Sequence, residues 1–286
     1  LALHAPSQIV SAVKSRAVEK GASVLISMVE HPQQCQAALQ ELLAQRVEAL
    51  LVNVPLDDPH AEQLKALASP VPVLFLDVSP SAAVNSLVFN AEQGARLGVE
   101  HLLSLGHQRI ALLSGPESSV SARARLAAWK AALAEAGLEA AAVPYGDWSA
   151  ACGYEKGHAL LSAATLPDAI LVANDQMALG VMRACAEKGV TIPGQISIVG
   201  FDDTADSAWF SPPLTTIRQA FREAGEQSVE WLLAPARHEA CWQVQLPVTL
   251  ISRQSSARRT PQQADREDLA QQLRSLALLA EQLVRK

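Results

Sequence analysis

The sequence predicts an α/β chain of two doubly wound parallel-sheet units with helices on both faces, followed by a C-terminal helix. Three observations carry this. Short apolar runs alternate with segments of helical period. The runs are continuously apolar, as strands buried on both faces are. Blocks of strand and helix recur at similar size along 286 residues, which suggests two similar domains.

The stretch Ala169 to Gly180 sets the pattern. Ile170, Leu171, Val172 and Ala173 read as a buried strand. Asn174 and Asp175 stand where a strand stops and a helix is capped. Met177, Val181, Ala184 and Cys185 recur at helical spacing, and Gly189 ends the segment. Asn174, Asp175 and Gln176 therefore fall at the carboxyl end of a strand, where open α/β sheets bind ligands.

Taken in order, Pro6 in a first turn opens a helix to Gly21, with Ile9, Val10, Val13 and Ala17 on one face. A strand should precede that helix in a βαβ chain, which predicts that this is the downstream part of a longer polypeptide. Ser23 to Met28 reads as a strand, Pro32 to Arg46 as a helix and Ala49 to Asn53 as a strand. Pro59 to Ala68 reads as a helix. Val73 to Leu76 is a strand ending in Asp77, and Ser86 to Phe89 another. Asn90 with Gln93 resembles a capping box for a helix that Gly106 ends. Strand Ile110 to Leu113 precedes a helix over Ser121 to Ala136 and a short segment to Gly146. Strand Ile196 to Phe201 stops at Asp202 and Asp203, two turn formers.

The polar run Arg253 to Asp268 reads as a linker. Beyond it, Leu269, Leu276 and Leu283 are seven apart, with Leu273 and Ala280 between them. This is the seam of a helix that packs on other helices.

Composition narrows the function. The chain is 49% hydrophobic and 18% charged, enough for a sizeable core. Lys plus Arg number 23 and Asp plus Glu 29, a net charge of −6, so no overall basic field points to nucleic acid. Cys35, Cys152, Cys185 and Cys241 are scattered, which predicts free thiols in a reducing, cytoplasmic setting. The seven histidines have no metal-ligand spacing, and no metal or cofactor is expected. No signal peptide or membrane span is expected.

Several strings are specific only as a set: Leu105-Gly106-His107 with Arg109-Ile110, Val199-Gly200-Phe201-Asp202-Asp203, and Pro212-Pro213-Leu214-Thr215-Thr216-Ile217. In this order they resemble the core of bacterial sugar-responsive repressors. Ala5-Pro6-Ser7-Gln8, Phe75-Leu76-Asp77-Val78-Ser79, Gly146-Asp147-Trp148-Ser149 and the run Val172 to Gly180 resemble galactoside-responsive members of that family most.

The resemblance implies a periplasmic-binding-protein-like core of two subdomains joined by three crossovers. The first would take 1–89 plus 221–248 and the second 90–220 plus 249–256. A linker, 257–268, would lead to a tetramerisation helix, 269–286, forming an antiparallel four-helix bundle. The resemblance implies no catalysis. It implies a galactoside inducer, operator DNA reached only through a helix-turn-helix headpiece not in this sequence, and a homo-oligomer. The dimer face would include the first helix and a surface near Phe210.

Sugars need planar hydrogen-bonding partners for hydroxyls and an apolar surface for the C–H face. By resemblance, Arg125, Asn174 and Asp202 match positions that bond sugar hydroxyls. Asp77 and Ser121 match polar positions in the same cleft, and Trp148 the aromatic on which the sugar packs. Leu3, Ala5, Pro6, Ile9, Phe89 and Phe221 match apolar positions on the aglycone side. Gln176 and Gln219 match cleft or near-cleft positions. Ala224 stands where a leucine is found, which predicts a wider apolar end. Two other classes are a sugar-binding protein of this fold without DNA-linked function, and a glycosidase using Asp77 and Asp202 as acid and base. The absence of any motif around that carboxylate pair disfavours the glycosidase.

Overall fold

A computed structural model describes residues 4–234 and 241–259, with Leu269 and Leu273 beyond. Its first parallel sheet holds β1 (Leu50–Val52), β2 (Val73–Phe75), β3 (Ser86–Phe89) and β8 (Gln243–Leu246), side by side in that order. Its second holds β4 (Ile110–Leu113), β5 (Ala169–Val172) and β6 (Ser197–Val199), also parallel and in sequence order. A two-stranded antiparallel ribbon, β7 (Thr216–Arg218) with β9 (Thr249–Ile251), touches the outer edge of β6 through single bridges.

The helices lie between these strands as the apolar period requires. In the first unit they are α1 (His4–Glu19), α2 (Cys35–Ala44), α3 (Asp58–Ala68) and, returning late in the chain, α8 (Phe221–Leu232). In the second they are α4 (Ala91–Ser104), α5 (Val120–Glu135), α6 (Ala150–Leu161) and α7 (Asp175–Glu187). Side chains of Asp57, Asn90, Ser119, Ser149 and Asn174 each accept a backbone N–H and cap a helix. The chain passes from one sheet to the other after β3, after β7 and after β8.

Four expectations change. Helix α1 starts at His4, two residues before Pro6, and Ala12 rather than Val10 or Val13 shares its buried face with Ile9 and Ala17. That face packs on α8, where Gly225 permits contact: a Cβ there would lie 2.7 Å from Ala12 and 3.0 Å from the Ile9 carbonyl. Ser23 to Met28 forms no strand; it pairs with no described strand, and Leu25, Ile26 and Met28 are 55%, 45% and 63% exposed. An apolar run becomes a strand only when its backbone groups find a ladder.

Helix α6 was not legible because Gly153 and Gly157 interrupt its pattern. They serve its packing. A Cβ on Gly153 would lie 2.1 Å from the Met177 carbonyl, and one on Gly180 2.0 Å from that of Ala150. The two backbones touch, which fixes the start of α6 beside the start of α7.

The polar run from Arg253 does not leave the core at once. Ile198 donates its N–H to the Ser255 carbonyl, and the buried Ser255 hydroxyl bonds the Ile198 carbonyl and the Thr215 N–H. His107 reaches the Ala257 carbonyl at 3.0 Å through Nε2. Arg259 donates its N–H to Leu105 and pairs its guanidinium with Asp168 at 3.1 Å. This segment covers the free edge of β6, so its polar residues satisfy a sheet edge rather than solvate a linker. Leu269 and Leu273 are helical and exposed. Leu276, Ala280 and Leu283 lie outside the described residues, as does Leu3. Among the described residues no helix is long and apolar enough to cross a membrane.

Asp168 is buried, which would raise its pKa, but His107 and the backbone N–H groups of Arg109 and Gln108 hold it below the usual carboxylate range, and Arg259 adds an ion pair. Arg259→Ala is expected to cost about 1–3 kcal/mol in urea unfolding. It should also raise amide exchange over 253–259. Unchanged exchange there would show that the segment is held without this pair.

Candidate functional site

Strand ends gather the polar residues. Asp77 follows β2, Asn174 follows β5, and Asp202 follows β6. Arg125 sits in the second turn of α5, with Ser121 one turn earlier. The guanidinium of Arg125 is buried, 6% exposed, and donates through Nη1 to the Ala173 carbonyl at the end of β5. Its Nε has no hydrogen-bond partner among the described residues. The carboxylates of Asp202, Asp77 and Asp175 attract it electrostatically and oppose the burial that lowers its pKa.

The carboxyls respond in turn. Burial pushes Asp202 up to about 7, against the pull of Arg125, with neighbouring Asp175 adding to the rise. Burial pushes Asp77 up to about 6, opposed by Arg125, by Arg123 and by a backbone hydrogen bond from Ser121. Gln219 is buried and donates from Nε2 to Asp202 Oδ1 at 2.7 Å. Asn174 caps α7 with Oδ1 on the Met177 N–H at 2.9 Å, and donates through Nδ2 to the Trp148 carbonyl at 3.0 Å.

Trp148 adopts a positive φ of 76° and lies over Gly115, where a Cβ would meet the ring 2.4 Å away. Its ring centroid is 5.6 Å from Arg125 Cζ. The centroid of Phe201 is closer, at 3.9 Å. Arg125 thus lies with Trp148, Phe201 and Asp202 around it.

The apolar candidates form a second group. Phe221, first residue of α8, packs edge-on against Phe89 at 5.3 Å and against His4 at 5.9 Å. Ala5 and Pro6 follow His4 in the first turn of α1, half-buried, and Ile9 is buried one turn on. Gln176 Oε1 accepts the His4 N–H at 3.3 Å, joining α7 to α1. Ala224 is buried in the core with Leu74, Leu87, Leu232 and Leu246.

One residue here escaped sequence reasoning. Phe201 counted only as strand, although it immediately precedes Asp202. Asp175 read as a strand-end polar residue or a helix cap, and its buried carboxylate accepts from Thr216 Oγ1, Ser207 Oγ and the Thr204 N–H, while burial pushes it up to about 6. A polar residue beside two apolar strand ends was the available signal. Among the described residues no three His, Cys, Asp or Glu side chains group to hold a metal.

Residues 99–256 match the periplasmic binding protein-like domain family. The chain is 51% identical to the lactose operon repressor of Escherichia coli (strain K12) over 280 residues, 97% of this chain and 78% of that protein. Its fold matches a dimeric Lac repressor with an 11-residue C-terminal deletion at a TM-score of 0.87 and 51% identity, covering 91% of this chain and 96% of that one. It matches a Lac repressor dimer bound to operator and the anti-inducer ONPF at a TM-score of 0.86 and 50% identity, covering 90% and 91%.

The raised carboxyls make a linkage prediction. An unfolded aspartate titrates near 3.9. Between about pH 4 and 7 these two sites therefore hold more protons in the folded chain than in the unfolded chain, and their contribution to stability falls as pH rises. Asp202→Asn removes one such difference. Its urea midpoint should decline less between pH 5 and 8 than the parent's; an equal decline would show that Asp202 ionises normally in the fold.

Proposed function

Since this chain belongs to the lactose-repressor family, with a periplasmic-binding-protein-like core, we propose that it is the inducer-binding and oligomerisation core of a transcriptional repressor. Its ligand is a galactoside taken between the two sheet units. The observation that carries this reading is Arg125: a buried guanidinium, anchored at Nη1, with Nε unpartnered among the described residues and an indole ring nearby. A buried donor without a partner is costly, and a sugar hydroxyl would satisfy it.

In this reading Arg125, Asn174 and Asp202 bond sugar hydroxyls, and Asp77 and Ser121 complete the polar wall. Trp148 receives the C–H face. Gln219 steadies Asp202, and Gln176 lies where the units meet. Phe89, Phe221, Ala5, Pro6, Ile9 and Leu3 line the aglycone side. The carboxylates bind and do not catalyse, and the relatives are repressors. The subdomains are 1–89 plus 221–248 and 90–220 plus 249–256, with the tether beginning after Arg259 and the tetramerisation helix over 269–286. The protein works in the cytoplasm.

The inducer would act by population shift between two relative orientations of the first units in a dimer. Operator DNA is engaged through a headpiece outside residues 1–286. The inducer's leverage is its differential affinity for the two states, commonly about 1–3 kcal/mol. The dimer face includes Trp209, 85% exposed beside Phe210, which suits burial against a second copy. The exposed Leu269 and Leu273 suit the helical seam.

Arg125→Lys keeps the charge and loses the planar fork. Calorimetric titration with a β-galactoside should give an affinity about tenfold weaker or worse, with folding retained. Near-parental affinity would remove Arg125 from the sugar site. Ending the chain at Arg266 should leave a dimer with unchanged galactoside affinity per subunit. Sedimentation decides this: equal subunit numbers for full and shortened chains would show that the terminal helix is not the tetramer joint.

A further inference from the structure

We propose that Phe201 is a positioning residue of this cleft: its ring is a rigid platform that sets the plane of the Arg125 guanidinium, and so sets how well the fork meets two neighbouring hydroxyls of a sugar. The inference rests on the cleft reading above and adds a residue which that reading does not need.

Among the described residues one hydrogen bond, from Nη1 to the Ala173 carbonyl, holds the guanidinium at a single point. A planar group fixed at one nitrogen can still tilt about that bond. The charges of Asp202, Asp77 and Asp175 attract it without choosing a tilt. The ring of Phe201 removes that freedom. At 3.9 Å from centroid to Cζ it is in van der Waals contact with the guanidinium face, whereas Trp148 stands at 5.6 Å. A desolvated arginine over an aromatic face gains both stacking and cation–π attraction.

The platform is itself immobile. Phe201 is 1% exposed. Gly94 of α4 lies against its rim, where a Cβ would come 2.6 Å from Cζ and 3.1 Å from Cε2. The glycine makes the slot, and the slot fixes the ring. The residue after the ring is Asp202, whose φ of 119° turns the chain at that point. One rigid strand end therefore places both a carboxylate and the surface that orients its arginine partner.

The test is a double-mutant cycle read by calorimetry with methyl β-galactoside, with urea unfolding run on every variant. Phe201→Leu should bind about tenfold more weakly while folding. Phe201→Tyr, which keeps the ring face, should restore most of that affinity. Phe201→Leu added to Arg125→Lys should weaken binding no further than Arg125→Lys alone, because lysine has no plane to orient. Additive losses, unchanged affinity in Phe201→Leu, or a Phe201→Tyr variant as weak as Phe201→Leu would overturn the platform. Parental affinity in Arg125→Lys would instead overturn the cleft reading, and the platform with it. Gly94→Ala presses the same ring from outside the cleft and serves if Phe201→Leu does not fold. A loss absent from the Arg125→Lys background supports the proposal, and unchanged affinity overturns it.

Discussion

The structure around the site depends on keeping one guanidinium charged in a nearly dry place. An isolated buried cation is strongly unfavourable, and here three carboxylates and an aromatic face offset that cost. Those carboxylates come from three separate strand ends: Asp77 after β2, Asp175 after β5 and Asp202 after β6. Parallel β5 and β6 place their carboxyl ends on one side of the second sheet, which brings Asp175 and Asp202 together, while Asp77 comes from the end of a strand in the first sheet. The carboxyls are not comfortable either, since burial raises Asp77 and Asp202 despite the neighbouring arginine. The site is thus a set of polar groups held close by the fold, with Arg125 Nε the one buried side-chain atom among them that has no hydrogen-bond partner among the described residues.

Backbone strain marks the same places. Trp148, Asp202 and Asp203 have φ of 76°, 119° and 56°, in the region that favours glycine. Each is held by its surroundings. Asn174 bonds the Trp148 carbonyl, and Gly115 leaves room for the indole. Gln219 bonds Asp202, while Asp203 receives Arg218 and Arg253 at 2.7 Å each. Arg253 begins the segment that lies along β6, so the edge cover and the strained turn share a residue.

The strands of the second sheet were legible because their runs are apolar on both faces, as in Ile110–Leu113 and Ile170–Val172. The helices with cap residues were legible for the same kind of local reason, as at Asn90 and Asn174. What failed were features set by distant partners. Ser23–Met28 has a strand's composition, but a strand needs a neighbour. Helix α6 was missed, and its Gly153 finds its reason only where α6 meets α7 at Gly180. The run from Arg253 has a linker's composition, yet Ser255 is buried because β6 has an open edge. In the site, strand ends pointed to Asp77, Asn174 and Asp202, whereas Arg125 and Trp148 drew their roles from the family resemblance. Phe201 stayed hidden, because stacking on an arginine leaves no local pattern.

The bonds around the site are unequal, and the inequality matters for a switch. Within the second unit they are short and buried: Arg125 to Ala173, Asp175 to Ser207 and Thr216, and Gln219 to Asp202. That half of the cleft is preformed, which limits the ordering cost of binding. The links that reach the first unit are weaker. Gln176 meets the His4 N–H at a long 3.3 Å, and Asp77 interacts with α5 through one backbone bond and through charge. In the proposed reading, a ligand that grips Arg125 and Asp202 on one side and the Asp77 and Phe221 side on the other shifts the relative orientation of the halves only through contacts that differ between the two orientations.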